Sequence, residues 1–160
     1  MKKGSGLLSI VYLLSLSIFF VSCGGDDPST SEEETQLDKL KSAWTLQSVN
    51  NDGADRTDEY ENMTLTISGT FTTNGTYNYT STATKWPSVS PWKAIDTWKF
   101  KTDFVSSTIV RQIDLLEMNY VLSNNDNTLT LTFDYPDSGA GFNNSRTETV
   151  AGGWTFTFSK

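Results

Sequence analysis

Histidine is absent from this chain of 160 residues, and cysteine occurs once, at Cys23. Histidine is the commonest general base and metal ligand of proteins, so its absence excludes Ser-His-Asp and Cys-His catalysis and the usual zinc sites. A lone cysteine cannot form a disulfide within the chain. Only carboxylate chemistry stays open, such as glycoside hydrolysis by a paired acid and base. Because no pair of carboxylates stands out, we expect no catalytic site, no metal and no cofactor.

Positive charge is also scarce. The chain has 12 basic and 19 acidic residues and a net charge of −7, with no stripe of lysine or arginine. An acidic surface repels nucleic acid and anionic lipid headgroups. The composition therefore predicts that nucleic acid is not a partner.

The sequence has one long apolar run, which spans Leu7 to Val21 and follows Lys2 and Lys3. It is shorter than the roughly 20 residues that cross a bilayer. A basic start, a short apolar core and small residues before a cleavage point are typical of a secretory signal peptide. An inert buried thiol is the alternative for Cys23, but the Gly24-Gly25-Asp26-Asp27 sequence that follows it cannot belong to a core.

A cysteine at this cleavage point resembles the lipobox of bacterial lipoproteins. The resemblance implies that residues 1–22 are a signal peptide, that cleavage precedes Cys23, and that lipid is attached to its sulfur and its new amino group. Two or more acyl chains hold a protein stably on a membrane. The Gly-Gly-Asp-Asp sequence is similar to the acidic export signal of Bacteroidota lipoproteins, which implies an outer-membrane protein exposed at the cell surface. Retention on the inner leaflet of the outer membrane is the alternative.

Cleavage of 22 residues from the 160 would leave 138 and, with Lys2 and Lys3 gone, lower the net charge from −7 to −9. Residues 23–34 are small, polar and acidic, which predicts a disordered tether. Residues 35–160 are then a single domain. A short helix is predicted from Thr35, where Leu37 and Leu40 share one face.

Alternating apolar and polar residues fill the rest of the chain and predict about eight short antiparallel strands. Trp44, Leu65, Trp98 and Phe156 are expected to point inward, whereas threonines occupy the outer positions. Residues 84–93 contain two Trp-Pro or Pro-Trp pairs, so we predict a longer loop over one end of the sheet. Hairpin-sized connections favour an up-and-down barrel over a sandwich.

The stretch from Leu40 to Lys160, with Trp44 in its first strand and Gly153-Trp154-Thr155-Phe156 near its end, resembles the lipocalin-like lipoproteins of Bacteroidota. The resemblance implies a meander barrel. It implies no particular binding residue.

An eight-stranded barrel can hold one small ligand, so the first functional hypothesis is a non-catalytic binding module for a small apolar or glycan ligand. The aromatic residues that could line such a site are Trp44, Tyr77, Tyr79, Trp86, Trp92 and Trp98, of which Tyr77, Tyr79, Trp86 and Trp92 are the predicted ligand-binding residues. The alternative is a structural or interaction lipoprotein, an accessory subunit or inhibitor, with a packed barrel and the loop 135–148 as a contact surface.

Overall fold

The computed structural model describes residues 30–101, 107–136 and 150–160. The predictions for the signal peptide, for Cys23, for most of the tether and for most of the loop 135–148 lie outside these residues.

One helix, nine strands and a short 3₁₀ helix make up the described part of the chain. Their bounds are α1 Glu32–Leu40, β1 Ser42–Asn51, β2 Ala54–Asp55, the 3₁₀ helix Thr57–Glu59, β3 Thr64–Ser68, β4 Tyr77–Thr82, β5 Ile95–Phe100, β6 Thr108–Arg111, β7 Glu117–Ser123, β8 Thr128–Tyr135 and β9 Gly152–Ser159.

The sheet closes on itself. Strands β3 to β9 pair antiparallel in sequence order, and β1 pairs with both β3 and β9. β2 is a two-residue addition to the end of β1. The result is a closed antiparallel barrel of eight strands, β1 and β3–β9, with one short helix, which confirms the predicted up-and-down barrel over the sandwich.

β1 forms the seam of the barrel. Its first residues, Ser42–Thr45, pair with β3, and the stretch from Thr45 to Asn51 pairs with β9. A shift in register between Leu46 and Ser48 adds one residue to the strand. Such a bulge reverses the alternation of side chains beyond it. Trp44 and Val49 are five positions apart, which would place them on opposite faces of a regular strand. The bulge explains why both are buried.

The helix α1 closes one end of the barrel with the side chains of Leu37 and Leu40, which are buried. It begins at Glu32, three residues before the predicted start at Thr35. The hydroxyl of Ser31 caps it by accepting a hydrogen bond from the backbone N–H of Glu34 at 3.1 Å. Glutamates in the first turn also suit the positive end of the helix dipole. Residues 32–34 therefore belong to the helix and not to the tether.

The barrel has two ends, which differ in the segments that they carry. The helix end carries α1, the turns 69–76 and 124–127, and Lys160. The loop end carries the connections 52–63, 83–94 and 112–116.

The alternation predicted for the strands is confirmed by burial. Leu65, Trp98, Phe156 and other apolar residues of the strands are buried inside the barrel. Threonines occupy the outer positions, where β-branched side chains pack well on a pleated surface. They form cross-strand pairs between β8 and β9, such as Thr130 with Thr157 and Thr132 with Thr155.

Candidate functional site

The centre of the barrel is filled by a tryptophan that comes from a loop. Residues 83–94, called the plug segment below, connect β4 to β5 at the loop end, and their Trp92 is only 2% exposed. Its ring lies 5.0 Å from that of Phe156 and 5.6 Å from that of Tyr79, measured between centroids. Its indole N–H donates to the hydroxyl oxygen of Ser81 at 2.9 Å. The loop predicted to cover the end of the sheet thus enters the barrel.

Polar contacts fasten the plug segment on both sides of Trp92. The hydroxyl of Ser90 accepts from the backbone N–H of Trp92 at 3.0 Å and lies 3.0 Å from the hydroxyl of Tyr60. The carbonyl of Pro91 accepts from Nη1 of Arg111 at 2.8 Å. Buried polar groups of an irregular segment must find such partners, because an unpaired one destabilises the fold.

Arg111 is fully buried, which is unusual for a guanidinium. Its Nε and Nη2 atoms donate to the two carboxylate oxygens of Asp114 at 2.9 and 2.6 Å. Burial by itself would lower the pKa of Arg111, but the hydrogen bond and charge of Asp114 outweigh it and leave the pKa above its ordinary value. Arg111 therefore stays charged and ties the plug segment to the turn 112–116.

The structure separates the predicted ligand-binding residues. Tyr79 and Trp92 are in contact inside the barrel, and Trp86 is half-buried with its ring edge-on to Tyr60 at 5.8 Å. Tyr77 lies at the helix end, where its hydroxyl donates to Glu33 Oε1 at 3.1 Å. Burial, with the hydrogen bond to Glu33 adding to it, raises the pKa of Tyr77 to about 12.

The two other tryptophans of the predicted lining are also in the core. Trp44 is buried at the helix end, where its indole N–H donates to the carbonyl of Leu40 at 2.8 Å and Lys160 Nζ lies 4.6 Å from its ring centroid. Trp98 is buried against Tyr77, with their ring centroids 5.0 Å apart. Both side chains therefore fill the barrel and do not border a ligand space.

The interior has almost no free volume. The cavity among Leu65, Tyr79, Trp92, Trp98 and Met118 measures about 10 Å³. That is at most the space of one water molecule, whereas sites for small ligands measure roughly 300–1,000 Å³. Among the residues that the structure describes, this interior cavity is too small for an apolar or glycan ligand.

Larger concavities lie on the outside. An open groove of about 520 Å³ crosses the outer wall near the loop end, bordered by Asn50, Asp52, Glu117, Asn119, Asp134 and Thr155. Its floor is fixed at Gly152 and Gly153, where Asp52 Oδ1 accepts from the backbone N–H of Gly153 at 2.8 Å. A Cβ atom at Gly152 would lie 2.0 Å from Asp52 Oδ2, so this close approach needs glycine.

Two carboxylates of the described residues are held in ion pairs. Asp114 is paired with Arg111, and Glu117 is paired with Lys101 at 2.7 Å. In the described ranges, no group of three or more Asp, Glu, His or Cys side chains could hold a metal ion. None of the helices in the part of the chain that the structure describes is long and apolar enough to cross a membrane.

Sequence reasoning missed two features of the loop end. The first is Arg111, whose position two residues after the inward-facing Ile109 is a signal that could have placed it on the inner face. The second is the group Ile95, Ile113 and Leu115, which are 65%, 51% and 69% exposed. Ile95 is the first residue of β5, and Ile113 and Leu115 lie in the turn after β6, so the alternation that marks inward positions does not extend to them.

No protein family, no curated protein and no solved structure matches this chain. The resemblance to lipocalin-like lipoproteins therefore stays a prediction from the residues named in the sequence analysis.

Proposed function

We propose that this protein is a lipid-anchored, non-catalytic outer-membrane lipoprotein that acts as an interaction module, either an accessory subunit or an inhibitor. The packed interior is the observation that carries this proposal. Trp92 occupies the space in which a ligand-carrying barrel would hold its ligand. A barrel that is filled by its own chain offers only its outer surface to a partner.

The anchor is supported by the sequence. The single cysteine follows a short apolar run and precedes a small, acidic stretch, and a lipid at that position explains both its isolation and its place. Mass spectrometry of the protein from its own membranes should find residue 23 at the amino terminus with its acyl chains. An unmodified Cys23, or residues 1–22 still attached, would refute the anchor.

The packed interior is tested with an apolar fluorescent probe, N-phenyl-1-naphthylamine. The native protein should not bind it, and an unrelated barrel with an open ligand space serves as the positive control. Saturable binding of one probe molecule to the native protein, with a blue-shifted emission, would contradict the proposal. The interaction role is tested by purifying the lipidated protein from membranes, where a stoichiometric protein partner is expected.

A second candidate is the binding module for a small apolar or glycan ligand. The observation that favours it is the origin of Trp92, which belongs to an irregular connection and not to a strand. Withdrawal of the plug segment would free a space bordered by the rings of Tyr79, Phe133 and Phe156. A small molecule that co-purifies in place of a protein partner would select this candidate.

A further inference from the structure

The open groove on the outer wall is crossed by a row of polar side chains that the strand register brings together. Asn119 of β7 pairs with Thr132 of β8. Thr155 of β9 pairs on one side with Thr132 and on the other with Asn50 of β1. Because neighbouring strands lie about 4.8 Å apart, this row of two amides and two hydroxyls is roughly 14 Å long. The four residues all border the groove and are called the polar row below.

Two carboxylates lie beside the same glycine next to the polar row. A Cβ atom at Gly153 would lie 3.1 Å from Asp52 Oδ1 and 3.3 Å from Asp134 Oδ1. Because glycine has no side chain, the space beside both carboxylates stays open. Asp52 is held in place there by the backbone N–H of Gly153, which donates to its Oδ1 atom at 2.8 Å. The groove therefore offers two acceptor groups close to the hydroxyls and amides of the polar row.

The polar row combines side chains of fixed orientation with groups that are free to bind. The amide oxygen of Asn50 accepts from the backbone N–H of Gly53 at 2.8 Å, and that of Asn119 accepts from the hydroxyl of Thr108 at 2.8 Å. Each amide is thereby oriented, and its Nδ2 group stays available as a donor. Among the residues that the structure describes, neither the carboxylate of Asp134 nor the two hydroxyls of the polar row have a hydrogen-bond partner. Groups that a rigid sheet already positions lose little conformational entropy when they bind.

The charge and the chemistry of the groove select the class of ligand. The carboxylates of Asp52 and Asp134 repel an anion, and the third carboxylate at the border, that of Glu117, is already paired with Lys101. An apolar ligand would meet one half-buried aliphatic side chain, Leu116, and otherwise polar groups. A hydroxyl both donates and accepts hydrogen bonds, whereas a lysine ammonium only donates. A neutral carbohydrate can therefore satisfy the carboxylates, the amide donors and the threonine hydroxyls together.

We infer that this groove binds a neutral carbohydrate chain. The carboxylates of Asp52 and Asp134 accept hydrogen bonds from sugar hydroxyls. The Nδ2 groups of Asn50 and Asn119 donate to sugar oxygens. The ring of Trp154 is buried beneath the groove and does not stack on a sugar, so the affinity should be modest. The inference goes beyond the proposed function, because a site on the outer wall requires neither the packed interior nor a protein partner.

The inference is tested by isothermal titration calorimetry on the full lipidated chain, in a detergent without a sugar headgroup. The neutral probes are cellohexaose, laminarihexaose, mannohexaose and xylohexaose, titrated to millimolar concentrations. Hexagalacturonic acid is the anionic control, and hexalysine is the cationic one. At least one neutral hexasaccharide should bind saturably, and more tightly than either control.

Matched variants then locate the site. Thr155→Val removes one hydroxyl of the polar row and keeps a β-branched side chain in the strand. Thr157→Val makes the same change two positions along the same face of β9, outside the groove. Asp134→Asn and Thr155→Val should each weaken the affinity roughly tenfold, and Thr157→Val should leave it within about twofold.

Equal losses from the two threonine variants would overturn the inference, as would preferential binding of hexalysine or of hexagalacturonic acid. Failure of all four neutral probes to bind would overturn it as well. That result would leave the proposed function standing, because the acyl chains on Cys23 and a co-purified protein partner decide the latter. An unmodified Cys23 with intact binding of a neutral probe would refute the anchor alone.

Discussion

The two ends of this barrel are both closed, but by different means. At the helix end, α1 begins at a capping serine, presents Leu37 and Leu40 to the core and satisfies its backbone groups by its own regular structure. At the loop end, the plug segment has no regular structure and inserts one large side chain, Trp92, whose surroundings depend on a buried arginine. The helix of the first closure forms through local interactions before Glu33 and Gln36 bind residues distant in sequence, whereas the plug segment has no regular structure of its own to rely on.

This difference suggests how the ends divide their tasks. The helix end needs only an amphipathic helix, whose Leu37 and Leu40 are buried against the core. Its one exposed aliphatic neighbour among the described residues is Val121, which borders an outer concavity together with Gln36 and Lys39 of α1. The loop end combines a buried ion pair, a left-handed leucine and three exposed aliphatic residues. Features that oppose stability are therefore concentrated at the loop end.

The largest expected effects on stability come from removing the side chain that fills each end of the barrel. The two variants differ in the cavity that the substitution leaves. Trp92→Ala should lower the free energy of unfolding by about 3–5 kcal/mol, and Leu37→Ala at the helix end by about 2–5 kcal/mol. Only the first variant leaves a space of indole size. Added indole should therefore raise the Tm of Trp92→Ala by several degrees and leave that of Leu37→Ala unchanged. If indole stabilises neither folded variant, the plug does not occupy a separable space.

The next effect tests the buried ion pair of the loop end. Asp114→Ala removes the partner of a fully buried guanidinium and should cost about 2–4 kcal/mol, somewhat below fully buried pairs because Asp114 is partly exposed. Arg111→Met combined with Asp114→Ala leaves no buried charge and should cost less than Asp114→Ala alone. Urea unfolding of both variants measures the difference. A double variant that is the less stable of the two would show that Arg111 holds the plug segment without help from Asp114.

Alkaline pH should weaken the helix end, where the hydroxyls of Tyr77 and Tyr120 bind Glu33 and Gln36 of α1. Burial, followed by the hydrogen bond to Glu33, raises the pKa of Tyr77 to about 12, and burial raises that of Tyr120 to about 12 as well. An unfolded tyrosine has a pKa near 10. The unfolded chain therefore releases these protons first, so stability is fully present below pH 10 and is lost as the pH rises toward 12. Chemical unfolding between pH 8 and 12 tests this, and Tyr77→Phe should show the shallower decline.

The smallest effect has the opposite sign. Asparagine tolerates the left-handed conformation better than leucine, so Leu115→Asn should raise the free energy of unfolding by about 0.5–1 kcal/mol. The matched change Val121→Asn, on a strand, should lower it, because asparagine is disfavoured in strands. Thermal unfolding of the two variants provides the comparison. A loss of stability in Leu115→Asn would mean that the leucine is retained for folding after all.

The barrel was predictable from sequence because its signals are local. Alternation in β3 and β8 and the asparagine-rich turns between strands predict hairpins, and hairpins in succession predict a meander. The start of α1 was misplaced because three successive glutamates resemble a solvated linker, whereas Ser31 places them in a first turn. The entry of Trp92 into the barrel could not be predicted, since it depends on the free volume that the strands leave. The hydrogen bond of Arg111 to Pro91 depends on how the plug segment enters the barrel, which no local pattern encodes.

The pairing of β1 with β9 has a consequence for how the protein is made. Ser42–Asn51 cannot complete their hydrogen bonds until Gly152–Ser159 are available, so nearly the whole domain must be present before the barrel can close. A pairing between strands so far apart in sequence slows folding. A chain that is threaded through a secretion channel from its amino terminus would therefore stay open until its last residues emerge, which is the condition that export in an unfolded form requires.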